Sequence, residues 1–236
     1  MSIELPEAGI LSRQMNSELQ GKEIVSCNLQ DYGKLQKIGF INKDTCDFNR
    51  LCSGKIESVV FRGNVIRVKL DNGMNLILAP EYGGKILYHT KENVAPPKFH
   101  LKLRFKDDTT LTVALSGMGV IQALKDDELE RSYVYRRDFS ATVNPIDSEF
   151  TFERFSKELA DKNVNIKSAL IGKDAVIVGL SNSIFQDILY RAGIHPKRKA
   201  SNLNESQKHT LYDAIKFVIQ KRIKSGGKKS VHRPVW

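Results

Sequence analysis

The sequence predicts an α+β chain of two lobes, an N-terminal antiparallel β-sandwich followed by a C-terminal helical lobe. Three observations lead to this. Between about residues 24 and 121, short apolar runs alternate with turn residues, the pattern of a sandwich or barrel. From residue 151 onward, apolar residues recur at helical spacing. Charge divides the chain in the same way. Residues 1–150 hold 20 Lys/Arg against 20 Asp/Glu, which leaves 17 against 7 in residues 151–236 of the chain's 37 and 27. The front is neutral, and the formal net charge of +10 belongs to the rear.

The elements follow in order. Pro6-Glu7 precedes Ile10, Leu11, Met15 and Leu19 at helical spacing, and Gly21 stops them, which predicts a first helix. Cys27, after Ile24-Val25-Ser26, reads as a packed strand residue. Strands are expected at residues 56–60 and 65–70 around Arg62-Gly63-Asn64, and at 76–78 after the turn Asp71-Asn72-Gly73. His100, Lys102 and Arg104 alternate with Leu101, Leu103 and Phe105, a strand with one wet face. Asp107-Asp108 turns that strand into another at residues 111–115.

Residues 123–149, with an acidic stretch and the run Tyr133-Val134-Tyr135-Arg136-Arg137, read as the linker between a lobe at 1–122 and a lobe at 150–236. Asn144-Pro145 marks the boundary. Helices are then expected at 151–159 (capped from Asp147-Ser148-Glu149), at 166–170, and at 182–192, where Gly193 stops the last of them. A long amphipathic helix over 204–225 ends at Gly226-Gly227.

Composition narrows the function classes. Hydrophobic residues at 41% and charged residues at 27% suit an ordinary globular chain with no need of disulfide or metal staples. Cys27, Cys46 and Cys52 are odd in number and unpaired in spacing, so a reducing compartment is expected and neither a metal site nor a cofactor is implied. No apolar run approaches the roughly 20 residues that cross a bilayer. Glu4 and Glu7 stand where a signal peptide would be basic. A cytoplasmic monomer with no membrane partner is the expectation. The basic rear suggests a polyanion, because each phosphate neutralised by Lys or Arg releases counterions.

Two segments carry chemistry. Gly179-Leu180-Ser181-Asn182 is a small-residue turn that opens a helix, where free N–H groups, the positive dipole end and the Asn182 amide suit a phosphate. After that helix come Arg191, His195, Lys197, Arg198 and Lys199 around Gly193 and Pro196. Each segment alone has an ordinary reading, as an N-cap and as a solvated basic turn. Together they frame one helix with phosphate donors at both ends.

At this point the sequence resembles a known family. Phe150-Thr151-Phe152-Glu153-Arg154-Phe155, Asn165-Ile166-Lys167-Ser168-Ala169-Leu170, Gly179-Leu180-Ser181-Asn182 and Ile188-Leu189-Tyr190-Arg191-Ala192-Gly193-Ile194-His195-Pro196 resemble the helix–two-turns–helix domain of the formamidopyrimidine-DNA glycosylase/endonuclease VIII family. Glu4-Leu5-Pro6-Glu7 is similar to that family's opening. The resemblance implies a two-lobed clamp on double-stranded DNA, damaged or abasic, with the damaged base flipped out of the stack, and so a nucleoid-associated repair protein. It assigns DNA contacts to Asn182 and Lys167 and draws in Arg62 and Asn64 of the hairpin turn, while Lys197 and Arg198 of the basic turn are DNA-contact candidates by their charge. It places Tyr82 where a wedge side chain fills the gap left by the base, and it gives Glu4 the carboxylate role on the sugar oxygen.

The chain also departs from the family. Ile3 stands at the position of the proline whose amine attacks C1′, so removal of Met1 would expose the primary amine of Ser2 instead. Asn64 replaces the lysine of an Arg-Gly-Lys turn, and Ser116 and Met118 occupy the positions of an Arg-x-Phe motif. The family's zinc or zincless finger has no counterpart cysteines in residues 228–236. Two functions therefore stand side by side. One is an atypical glycosylase, with AP lyase activity through Ser2 and Glu4; the other is a catalytically silent binder of damaged DNA. An RNA-binding protein that reuses the helical lobe is a third.

Overall fold

The computed structural model describes residues 3–80, 83–93, 95–140, 143–172 and 175–227. Helix α1 (Leu5–Leu19) opens with Pro6 in its first turn and with a capping box between Glu4 and Glu7, in which the Glu4 N–H donates to Glu7 Oε2 at 3.3 Å. Its apolar face divides between two cores. Ala8, Leu11, Met15 and Leu19 enter the sandwich, whereas Leu5, fully buried, enters the helical lobe. One helix thus pins both lobes.

The sandwich follows: β1 (Ile24–Leu29), the short α2 (Gly33–Lys37), a 3-10 segment (Thr45–Leu51), β2 (Ile56–Arg62), β3 (Val65–Leu70), β4 (Met74–Ala79), β5 (Lys85–His89), β6 (Leu101–Phe105), β7 (Thr110–Ala114) and β8 (Val120–Lys125). They form two antiparallel four-stranded sheets, β1-β6-β7-β5 and β2-β3-β4-β8. Alternation at residues 100–105 appears as expected, with Leu101, Leu103 and Phe105 buried in the core between the sheets. Strands β5 and β8 have no counterpart among the strands the sequence predicts.

Strand β4 is buried on both faces. Met74, Leu76 and Leu78 face the sandwich core, while Ile77 and Ala79 join Val65, Leu129 and Val134 in a second, smaller core. That second core is roofed by residues 126–140, which fold as a 3-10 turn (Asp126–Arg131), α3 (Tyr133–Tyr135) and a π turn (Arg136–Ser140). The segment between the lobes therefore packs on the outer face of the sheet.

The helical lobe comprises α4 (Phe152–Ala160), α5 (Ile166–Ile171), α6 (Asn182–Ala192) and α7 (Glu205–Lys224). Thr151 caps α4, its hydroxyl accepting from the Arg154 N–H at 3.2 Å, in place of the Asp147-Ser148-Glu149 side chains. Phe155, Leu159, Ile166, Leu170, Ile184, Ile188, Leu211, Ile215 and Ile219 make the core that Leu5 completes. Among the described residues no helix is long and apolar enough to cross a membrane.

Candidate nucleic-acid interface

The two lobes meet at a pair of glycine turns. Gly63, with φ 59°, is the first turn residue of the β2–β3 hairpin, a position that favours glycine. Gly179, with φ 78°, precedes α6. A Cβ on Gly179 would lie 2.5 Å from the Gly63 carbonyl carbon and 2.7 Å from the Asn64 nitrogen, so only glycine permits this approach. The Gly179 carbonyl accepts from the Leu5 N–H at 2.8 Å, which ties the start of α1 into the same junction.

Glu4 therefore lies where the sandwich, the β2–β3 turn and the turn before α6 converge. It is buried, at 4% exposure, which removes the alternative of a solvated first-turn acid. Ile3 is buried as well and packs in the sandwich core, so the main chain leading into Glu4 is held by an apolar side chain. Ser2 and Tyr82 lie outside the described residues. Of the described neighbours, Gly83, at φ 64°, abuts Ser116, and Pro80 abuts Gly119 in the β7–β8 loop. Met118 of that loop is exposed.

At the start of α6 the cap is Ser181, whose Oγ accepts from the Ser183 and Ile184 N–H groups at 3.2 and 3.4 Å. Asn182 is the first helical residue, exposed, and among the described residues nothing hydrogen-bonds its side chain. The cap is thus supplied by Ser181 and not by its neighbour Asn182. The amide of Asn182 is left to solvent beside the positive end of the dipole.

The second basic group gathers elsewhere. The Lys167 N–H donates to the Pro196 carbonyl at 3.1 Å and the Ile166 N–H to the Arg198 carbonyl at 2.8 Å, so the α5 start and the 195–199 turn form one corner. Lys167, Lys197, Arg198 and Lys199 are exposed there. This corner lies beyond the far end of α6, a helix of 11 residues. At the usual helical rise α6 is about 16 Å long, with Asn182 at its start and the basic turn following its other end. The spacing suits two places along a polyanion, not one pocket.

Arg62 and Asn64 are engaged with the segment between the lobes. Arg62 Nη1 donates to the Phe139 carbonyl at 2.9 Å, and the guanidinium lies over the Phe139 ring. Asn64 Oδ1 accepts from Arg137 Nη2 at 2.8 Å, and the Asn64 N–H donates to Asp138 at 3.3 Å. Asp138 is fully buried and pairs with Arg137. Asn144 closes the turn, its side chain accepting from the Gly63 N–H at 3.0 Å and donating to the Phe61 carbonyl at 3.0 Å. The Arg136-Arg137 run is conspicuous in the sequence but nothing there attaches it to this turn; only the fold brings residues 64 and 137 together. Among the described residues no group of three or more His, Cys, Asp or Glu could hold a metal ion.

Comparisons with known proteins agree with this arrangement. Residues 3–115 match the formamidopyrimidine-DNA glycosylase N-terminal domain, and residues 142–233 match the formamidopyrimidine-DNA glycosylase H2TH domain. The chain is 25% identical over 228 residues to a formamidopyrimidine-DNA glycosylase of Lactococcus lactis subsp. cremoris, covering 95% of this chain and 79% of the relative. It is 27% identical over 225 residues to one from Wolbachia sp. subsp. Brugia malayi, with the same coverage of 95% and 79%. Among solved structures it is similar to MutM in complex with carbocyclic 8-oxo-G containing DNA, at a TM-score of 0.78 and 26% identity over 95% of this chain and 82% of that one. It is also similar to Lactococcus lactis formamidopyrimidine-DNA glycosylase bound non-covalently to DNA containing an AP site, at a TM-score of 0.80 and 25% identity over 96% and 82%.

Proposed function

The chain belongs to the formamidopyrimidine-DNA glycosylase family, and we propose that it is a DNA repair protein which holds damaged double-stranded DNA between its lobes and acts as an atypical base-excision glycosylase with AP lyase activity. The observation that carries this reading is the junction at Gly63 and Gly179. It brings the buried carboxylate of Glu4 and the phosphate-suited start of α6 to the line where the lobes meet.

In the reaction, the amine exposed on Ser2 attacks C1′ of the damaged nucleotide. The bond from C1′ to the base breaks and the base leaves with that electron pair and a proton. Glu4 protonates the sugar ring oxygen as the ring opens, which leaves a Schiff base on the amine. Asn182 seats a phosphate beside the lesion, Lys167, Lys197 and Arg198 hold the backbone farther along, and Tyr82 fills the vacated stack. Arg62 and Asn64 shape the hairpin turn that faces the DNA. A duplex DNA partner supports residence on the nucleoid, and the reading takes the protein as a monomer.

Borohydride trapping on duplex DNA with one abasic site tests the reading. A covalent adduct that needs a free N-terminus and weakens sharply in Glu4→Gln is the expected result. A second reading, a binder that catalyses nothing, is favoured by one observation: Ile3 replaces the nucleophilic proline and is buried in the sandwich core. Selective binding of abasic duplex with no adduct and no strand cleavage would establish it. Tighter binding to RNA than to abasic DNA would overturn both.

A further inference from the structure

Helices α6 and α7 pack together, and their last turns leave an open groove of about 550 Å³ between them. Asp187, Tyr190, Arg191, Phe217, Lys221 and Arg222 line it. Two of these are exposed aromatic residues. Tyr190 is 91% exposed and Phe217 is 42% exposed. Tyrosine, phenylalanine and arginine are the side chains that concentrate at the centres of protein interfaces. Arg191, which the sequence groups with the basic turn, lies against α7 instead, its guanidinium 3.6 Å from the Phe217 ring centroid. Lys221 Nζ is 5.9 Å from the same ring. These contacts are cation–π contacts, and among the described residues no hydrogen bond or ion pair engages the side chain of Arg191 or Lys221.

The groove is also positively charged. Asp187 is the one carboxylate in its lining, and Arg222 already holds it at 2.6 Å. From Ala214 to its end, α7 carries Lys216, Lys221, Arg222 and Lys224 and no Asp or Glu. An apolar floor of Phe217 and Val218 thus lies among cations that outnumber their counter-charges.

Sign and shape together select the occupant. Residues 228–236 bring Lys228, Lys229 and Arg233 and no carboxylate, so they share the charge of the groove. A DNA duplex offers phosphates but keeps its bases stacked, so it has no apolar group to set between Tyr190 and Phe217. An acidic peptide with one large apolar side chain offers both, carboxylates for Arg191 and Lys221 and a ring for the floor.

We propose that the α6–α7 groove docks a partner protein, through an acidic segment of that partner which carries an aromatic anchor. None of the residues given a DNA role in the proposed reaction lines the groove, so the site stands apart from the repair reading and goes beyond it.

The test is fluorescence polarisation of the full chain with a labelled synthetic peptide, short, rich in Asp and Glu and ending in phenylalanine. Saturable binding is expected. Tyr190→Ser and Lys221→Glu should each weaken it about tenfold, the loss typical of an interface anchor, while melting temperature and affinity for abasic duplex stay unchanged. Replacing the phenylalanine of the peptide by alanine should weaken binding by about as much. No binding, or equal binding to both variants, overturns the proposal. So does a single-stranded oligonucleotide whose affinity falls in Tyr190→Ser while the peptide does not bind, which would make the occupant a nucleic acid. Self-association of the unaltered protein that Tyr190→Ser abolishes would make it a second copy of this chain, and overturns the proposal as well.

Discussion

Gly63 and Gly179 touch through their backbones, and a single methyl group on Gly179 would bring a carbon to 2.5 Å from the Gly63 carbonyl carbon. The contact joins the sandwich hairpin to the turn before α6, and the Leu5 N–H bond to Gly179 draws the start of α1 to the same line. Gly179→Ala introduces two costs at once. The backbone there has φ 78°, which is unfavourable for an L-residue by about 1–2 kcal/mol. Crowding at a packed contact adds about 1–3 kcal/mol. A loss of roughly 2–5 kcal/mol in urea denaturation is expected from these terms together, along with weaker binding of abasic duplex as the lobes are pushed apart. Unaltered stability would show that the two turns do not press together in solution.

The division of labour between Ser181 and Asn182 makes a paired prediction. Ser181→Ala removes the cap of α6 and is expected to cost about 1 kcal/mol of stability. Asn182→Ala, at an exposed first-turn position, should leave the melting temperature nearly unchanged and weaken DNA binding, with a shallower salt slope if the amide meets a phosphate. The two residues are adjacent, so the contrast separates folding from binding within one turn of helix. Equal effects on stability and affinity from both variants would contradict it.

Much of this organisation is legible in the sequence, and the reasons are local. Helix α6 is readable to the residue, because Ser181 caps it and Gly193 adopts φ 64° at its end. Strand β6 shows its alternation openly. Strand β5 does not, since Lys85-Ile86-Leu87-Tyr88-His89 places both Tyr88 and His89 inside and so breaks the period of two. The sequence offers Gly179-Leu180-Ser181-Asn182 as a capping segment without choosing its capping side chain, and the fold gives that role to Ser181. The Arg137–Asn64 contact could not be read at all. Nothing in Tyr133-Val134-Tyr135-Arg136-Arg137 points to a hairpin 73 residues away until Leu129 and Val134 find the outer face of β4.

Stability at low pH should depend on the tie between Lys22, after α1, and Asp107 in the β6–β7 turn. Burial opposes the Asp107 charge, but hydrogen bonds from Lys22 and Thr109, with the charge of Lys22, outweigh it and hold the carboxyl at about 2. A depressed carboxylate contributes stability that is complete above its ordinary value of 3.8 and is lost as pH falls through about 2. The melting temperature should therefore decline between those values, and Asp107→Asn should flatten the decline. An identical pH profile in the variant would exclude this pair as a contributor.

Leu5 gives the most direct measure of coupling between the lobes. It opens a helix whose other core residues, Ala8, Leu11, Met15 and Leu19, belong to the sandwich, yet its own side chain is fully buried in the helical core. Its N–H also donates to the Gly179 carbonyl at 2.8 Å, a bond that substitution of the side chain leaves available. Leu5→Ala therefore removes packing and keeps the backbone tie. Truncating a buried leucine costs about 2–5 kcal/mol, and here the loss falls on the surface that makes the lobes unfold together. The expected signature is separation of one thermal transition into two, with the helical lobe melting first. Leu11→Ala, a truncation of the same size inside the sandwich core, should lower stability without splitting the transition. If both variants melt in one step, the lobes are held together chiefly by the glycine junction and the roof over β4, and α1 is a passenger.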